Sequence, residues 1–243
     1  MVVFLLALQF LTILPLKIKE ASEKNMADSM MYFPAVGLFL GLMLSGLNKL
    51  LLTLNFPALT INIILVIALI IITGGIHLDG LSDTTDAFSS GKPKEEMLAI
   101  MRDSHIGVMG TLSLISIILL KICLLSSLSA PLKTTGLLLA CVLSRWSAVL
   151  SMFLFPYARR DGKAKVFMQN MNSKIFFLST IVTVICAFAI WRLEGLVALL
   201  IIAGCVYLSG NLFSRKIGGI TGDTLGATIE LTEVITLFSM SLA

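Results

Sequence analysis

The chain has 243 residues, of which 57% are apolar and 13% charged, with a net charge of +4. A soluble domain carries about 25% charged residues, so a mean hydropathy of +0.99 excludes an ordinary water-soluble globule and points to a chain solvated by lipid. The modest positive charge reads as an orientation signal rather than a nucleic-acid footprint, and at about 20 residues per spanning helix the length leaves no room for a sizeable soluble domain.

Apolar runs at 2–16, 31–54, 57–76, 106–128, 131–156, 174–191, 195–213 and 226–242 predict eight helices in chain order. The stretch from Met1 to Leu16 has no basic leader and no small-residue cleavage site, so a short first span is expected rather than a removable signal peptide. Asn55-Phe56-Pro57 separates the second helix from the third, and Ser129-Ala130-Pro131 the fourth from the fifth. Cys123, Cys141, Cys186 and Cys205 each sit inside an apolar run with no CxxC spacing, which predicts buried free thiols rather than a disulfide or metal site. The expected fold class is all-α: a polytopic integral membrane helix bundle of about seven to eight transmembrane helices, forming a single transmembrane catalytic domain over residues 1–243.

Lys17, Lys19 and Lys24 lie on the first connection. Lys92, Lys94 and Arg102 lie on the third, Arg159, Arg160, Lys163, Lys165 and Lys174 on the fifth, and Arg215 and Lys216 on the seventh. Thirteen of the eighteen Lys and Arg thus fall on alternate connections, the pattern that the positive-inside rule produces. The rule places these loops, and the acids among them, in the cytoplasm, with both termini outside.

The third connection opens with Gly74-Gly75-Ile76-His77-Leu78-Asp79-Gly80-Leu81-Ser82-Asp83-Thr84-Thr85-Asp86. On a helix, Asp79, Asp83 and Asp86 share one face a turn apart, and no Lys or Arg in the segment relieves their repulsion. A hard divalent cation does so, since Mg²⁺ takes one or two carboxylates together with substrate phosphate oxygens. The bland alternative is a solvated acidic loop. His77, two residues before Asp79, turns away from that face, which favours a hydrogen-bonding or substrate-contacting role over metal ligation.

A second acidic stretch follows Gly218-Gly219-Ile220-Thr221-Gly222-Asp223, with Glu230 and Glu233 at i+7 and i+10 from Asp223. Ionisable residues inside a span are expensive and usually functional; the alternative is that both glutamates snorkel to the interface. The glycines are suited to a backbone cradle for an anion. Gly-Gly-Ile-x-x-Asp occurs in both stretches, and one reading of the repetition is an internal duplication about an axis along the membrane normal. Arg102, Arg159, Arg160, Lys163, Arg215 and Lys216 are expected to form a positive rim. Arg102 and Arg215 are the rim residues expected to bind phosphate. Arg145 and Lys121 fall within apolar runs, and Arg145 is expected to face the bundle interior.

GGIHLDGLSDTTD, RDSHIG and GGITGDTLGA, with ALQFLTILP, YFPAVGLFLG, SRW and PYAR around them, together resemble the cobalamin synthase family. The resemblance runs from Leu8 to Glu233. His105 stands where family members often carry Arg, and the ARRDGK stretch replaces a shorter glycine-rich one.

The resemblance implies a Mg²⁺-dependent membrane phosphotransferase at the cytoplasmic face of the inner membrane. It joins α-ribazole, or its 5′-phosphate, to adenosylcobinamide-GDP and releases GMP. Its partners are then these substrates and the lipid bilayer, with no nucleic acid; a homo-oligomer is left open. Asp79, Asp83 and Asp86 are expected to hold Mg²⁺, and Asp223 to complete that site or a second ion. Arg102 and Arg215 are expected to neutralise the leaving phosphate, with Ser104, Arg159, Lys216, Thr221 and Gly222 also on the substrate. A 5′-hydroxyl is the expected nucleophile, and Asp103, His77 and Glu230 the candidate general bases.

Three rivals fit less well. CDP-alcohol phosphotransferases carry D-x-x-DG-x-x-AR, whereas Asp79-Gly80 is followed by Leu81-Ser82-Asp83 with no Ala-Arg, and membrane prenyltransferases an Asn-Asp that this chain lacks here. A cation-coupled transporter would set its acids near the midplane.

Overall fold

The computed structural model describes residues 2–16, 22–162 and 164–242. Lys17 and Lys19 of the first connection and Lys163 of the expected basic rim lie outside the described residues. The helices are α1 (Val2–Leu11), α2 (Glu23–Ser29), α3 (Phe33–Thr53), α4 (Ala58–Thr73), α5 (Ile76–Ser89), α6 (Lys94–Ile100), α7 (Val108–Ser127), α8 (Ala130–Leu154), α9 (Lys165–Gln169), α10 (Ser173–Ile217) and α11 (Gly222–Ser241). A 3₁₀ turn, Met30–Tyr32, joins α2 to α3, and the one isolated bridge among the described residues pairs Tyr157 with Ile220.

Proline sets several helix starts, as its fixed φ allows. Pro34 and Pro131 stand in the first turns of α3 and α8, and Pro57 caps α4. Four helical stretches are long and apolar enough to cross a bilayer: 23–53, 108–127, 130–154 and 173–217. The pair α4 and α5, bent by 90° at Gly74-Gly75, makes a fifth if counted as one. The first apolar run forms a helix only as far as Leu11. Helix α11 carries Asp223, Glu230 and Glu233 along its 20 residues.

As one straight rod α10, with 45 residues, would measure about 67 Å at 1.5 Å per residue, twice the ~30 Å hydrocarbon core. It is instead broken at Trp191 (φ −142°) and Arg192 (φ 47°) into arms of 173–190 and 193–217. About four helical turns to either side of the break, Phe176 stacks on Phe153 at 4.2 Å, and Tyr207 lies 6.4 Å from Phe155. Both arms therefore return to the end of α8, as a helical hairpin. Gly195 leaves room at the turn for the Ala187 carbonyl.

Helix α8 is the axis of the bundle, with 83% of its most apolar window buried. Gly37 and Gly41 of α3 let the α8 backbone come close; a Cβ at Gly41 would stand 2.7 Å from Leu138 Cα. This is the small-xxx-small packing of membrane helices, where dispersion replaces the hydrophobic effect. Large apolar side chains such as Leu42, Ile63, Leu119, Ile185 and Leu200 face outward, as a lipid-solvated surface requires. Cys141 is buried, but Cys123 is exposed and Cys186 and Cys205 are partly so. The expectation of buried thiols fails there because outward positions need only be apolar, not enclosed.

Candidate active site at one end of the bundle

Gly74 and Gly75 both adopt the left-handed conformation, with φ of 64° and 68°. Glycine takes this at no steric penalty. Gly74 ends α4 and Gly75 starts α5, so the chain turns sharply and α5 is laid across the starts of α11 and α7. The crossing with α11 is backbone-close: a Cβ on Gly80 would stand 2.6 Å from the Asp223 carbonyl oxygen, and one on Gly226 would stand 3.0 Å from that of His77. The two glycine-led acidic stretches are thus brought together in space.

At the far end of α5, Asp86 meets α7. Its two carboxylate oxygens accept from the backbone N–H groups of Gly107 and Gly110, each at 2.7 Å. The carboxylate caps α7, where the helix dipole favours an anion. Asp86 was expected to share the metal with Asp79 and Asp83. Both its oxygens are instead taken up by backbone donors, and it does not line the cavity described below.

The second glycine pair places Arg159. Gly218, left-handed at φ 80°, ends α10. Ile220 then donates its N–H to the Pro156 carbonyl and accepts from Ala158 N, both at 2.8 Å. Thr221 caps α11, receiving the Thr224 N–H on its side chain. This short ladder sets Arg159 beside the start of α11, where its Nη2 lies 2.7 Å from Asp223 Oδ2. Arg159 Nε is buried without a partner. The extended step from Gly219 to Thr221 has no counterpart after Gly75, so the repeated motif does not repeat its local geometry.

These elements enclose a cavity of about 1120 Å³. Asp79, Asp83, Asp223, Arg159, Arg102 and Asp103 line its polar side, and Ser104, His105, His77 and Gly222 also reach it. Asp83 has the like charges of Asp79 and Asp223 as neighbours, relieved in part by Arg159. Arg102 is exposed at the rim, within 3.4 Å of the Asp161 carbonyl. Asp103 accepts from His105 Nδ1 at 2.6 Å and from its backbone N–H at 3.0 Å. These bonds hold the Asp103 carboxyl below the usual carboxylate range and raise the His105 imidazole above its own.

Four other expected residues lie elsewhere. Thr221 is buried as a helix cap and Arg215 is exposed away from the cavity lining. Lys216 donates to the Phe88 carbonyl at 3.2 Å and sits over the Phe88 ring, tying α10 to α5. Glu230, expected as a candidate base, is 5% exposed and accepts from Lys121 at 2.6 Å. Glu233 joins the same Lys121 and also Arg145, which is fully buried. Both glutamates are therefore structural anions of a buried network and do not snorkel to an interface. The spacing of Glu230 and Glu233 marked a shared face; the partners, 88 to 112 positions away, carried no local signal.

Among the described residues no three His, Cys, Asp or Glu side chains converge into a ready metal cage. A hard cation taking two carboxylates and completing its shell with phosphate oxygens and water needs no such cage. The adjacent carboxylates of Asp79 and Asp83, free of any ion pair among the described residues, fit that donor set. Asp223, already paired with Arg159, fits it less well. Tyr157, Phe10, Phe33 and Phe167 also line the cavity and were not singled out from sequence, although the first three fall in stretches that carry the family resemblance.

The sequence matches the model of a family described as cobalamin-5-phosphate synthase over residues 3–241. Three relatives are each named adenosylcobinamide-GDP ribazoletransferase. That of Desulforamulus reducens is 35% identical, covering 96% of this chain and 93% of its own. That of Roseiflexus is 37% identical over 98% and 88%, and that of Escherichia coli 34% over 96% of each. No solved structure matches. With the family match running almost from end to end and relatives 34–37% identical over nearly the whole chain, this chain belongs to the cobalamin-5-phosphate synthase family.

Proposed function

We propose that this chain is an adenosylcobinamide-GDP ribazoletransferase, working with Mg²⁺ at the cytoplasmic face of the inner membrane through a bundle of about seven to eight spans. The carrying observation is the meeting of Asp79 and Asp83 with Asp223 and Arg159 in one cavity, in a chain whose relatives bear that name. The span count draws support from the hairpin of α10, whose two arms each have the length of a span. The cytoplasmic orientation rests on the basic residues of alternate connections. The rival phosphotransferase, prenyltransferase and transporter readings draw no support from the relatives.

A ribose hydroxyl oxygen of α-ribazole attacks the cobinamide-side phosphorus of the donor diphosphate. The bond to the bridging oxygen breaks, and GMP leaves with it. The family description names a 5-phosphate product, so the 5′ position is occupied in that acceptor. The expected 5′-hydroxyl nucleophile is therefore corrected to a secondary ribose hydroxyl. Such transfers depend on positioning and charge neutralisation. Asp79 and Asp83 are the residues to hold Mg²⁺, which when bound neutralises diphosphate oxygens. Arg159, with a buried Nε lacking a partner, and Arg102 at the rim hold phosphate oxygens as charge-assisted donors. The hydroxyl proton passes to Asp103 or His77, the two of the three candidate bases that line the cavity.

The test incubates purified protein in detergent with adenosylcobinamide-GDP, α-ribazole and Mg²⁺, scored by mass spectrometry. GMP and the joined product are expected in equal amounts, and both should vanish with excess chelator. Failure of the intact protein to release GMP overturns the proposal.

A further inference from the structure

The cavity is lined by two unlike sets of side chains. Besides the carboxylates and arginines, its lining carries aromatic rings from three separate elements: Phe10 of α1, Phe33 of α3 and Phe167 of α9. Phe10 stacks on Phe33 at 5.8 Å and leans on Phe167 at 4.3 Å. Phe33 and Phe167 are 1% and 2% exposed, whereas Phe10 is 36% exposed. Two buried rings therefore back a third that keeps an open face. Such a face offers dispersion and offset stacking to a flat partner and no hydrogen bond to a polar edge.

We propose that Phe10, backed by Phe33 and Phe167, is the platform for the acceptor's base, and that it selects a flat, apolar, benzimidazole-type bicycle over a purine. The inference rests on the ribazoletransferase reading of the same cavity. The diphosphate belongs with the charged set. Guanine and the amide-fringed corrin both carry polar edges that need partners, which the phenylalanines lack. A benzimidazole joined to ribose has one free ring nitrogen. Adenine has several ring nitrogens and an amine, whose burial without partners is unfavourable. The open face of Phe10 thus matches the least polar part of either substrate.

The test measures KM for an α-ribosyl benzimidazole, an α-ribosyl adenine and the GDP-linked donor, in the parent and in Phe10→Ala and Phe10→Tyr. The parent should favour the benzimidazole by about tenfold or more in kcat/KM, as expected for rejection of unpaired polar groups. Phe10→Ala should raise the benzimidazole KM about tenfold and leave the donor KM within about twofold, which also reports a folded protein. Phe10→Tyr, retaining the ring, should stay near the parent. Calorimetric titration of the benzimidazole riboside alone gives a readout that needs no turnover. If Phe10→Ala shifts the donor KM instead, or leaves riboside binding unchanged, the platform is refuted. If Phe10→Ala does not fold, an adenine preference in the parent, or equal binding of both ribosides, refutes it. A parent that binds the riboside but releases no GMP sinks the transferase reading and not the platform.

Discussion

Asp79, Asp83 and Asp86 lie on one helix, yet they meet different chemistry. The first two line the cavity, while Asp86 receives two backbone N–H groups at the start of α7. Asp79→Asn and Asp83→Asn each remove a charge at nearly constant shape, and are expected to lower GMP release by about 100-fold or more while the protein still inserts and purifies. Asp86→Ala should instead lower stability by roughly 1 kcal/mol, as loss of a helix cap does, read from the unfolding midpoint in detergent. The exposed His105–Asp103 contact makes a separate prediction. Its charged form is complete above the lowered pKa of Asp103 and below the raised one of His105, and is lost as pH rises through the latter. Imidazole NMR should show His105 titrating above 6.5 in the parent and falling toward that value in Asp103→Ala. An unchanged His105 in that variant counts against the contact.

Helix positions were largely legible in the sequence, because apolar runs, prolines and glycine pairs are local signals. Each of the eight expected runs overlaps a helix or an arm of one. The interruption around Trp191 and Arg192 divided two runs that a plain helical ladder would merge. The site was legible in part. Periodicity shows which side chains share a face, so the aspartate stripe of α5 could be read. What stands opposite is a tertiary fact: Asp86 finds Gly107 and Gly110, and Glu233 finds Lys121 and Arg145, far along the chain. The close crossing of α5 and α11 yields a sharp test. A Cβ at Gly80 meets backbone of Asp223, at 2.6 Å and 2.9 Å, which cannot rotate aside. Gly80→Ala is expected to destabilise by about 1–3 kcal/mol and to lose activity by displacing Asp79 and Asp83 from Asp223. Gly204→Ala, where an added Cβ meets nothing within 4 Å, should do neither.

Across the whole molecule, the bundle holds a buried charge network in its interior. Lys121, Arg145, Glu230 and Glu233 come from α7, α8 and α11 and balance in charge. Removing one member leaves the others uncompensated, which in buried networks destabilises by about 3–5 kcal/mol. Glu233→Gln is therefore expected to reduce the folded yield and the unfolding midpoint strongly. Lys121→Met combined with Glu230→Gln removes one charge of each sign and should be milder. A Glu233→Gln protein as stable as the parent would show that the network carries no weight.

Arg159 is aimed by main chain: Ile220 and Ala158 spend their amide hydrogens on the Pro156 and Ile220 carbonyls. Every residue except proline brings the same amide, so substitutions can accumulate at position 158 without moving the guanidinium off its mark. An imino acid at 158 or 220 would unzip the stitch, and so would a side chain at Gly219, whose Cβ would collide with the Pro156 carbonyl oxygen.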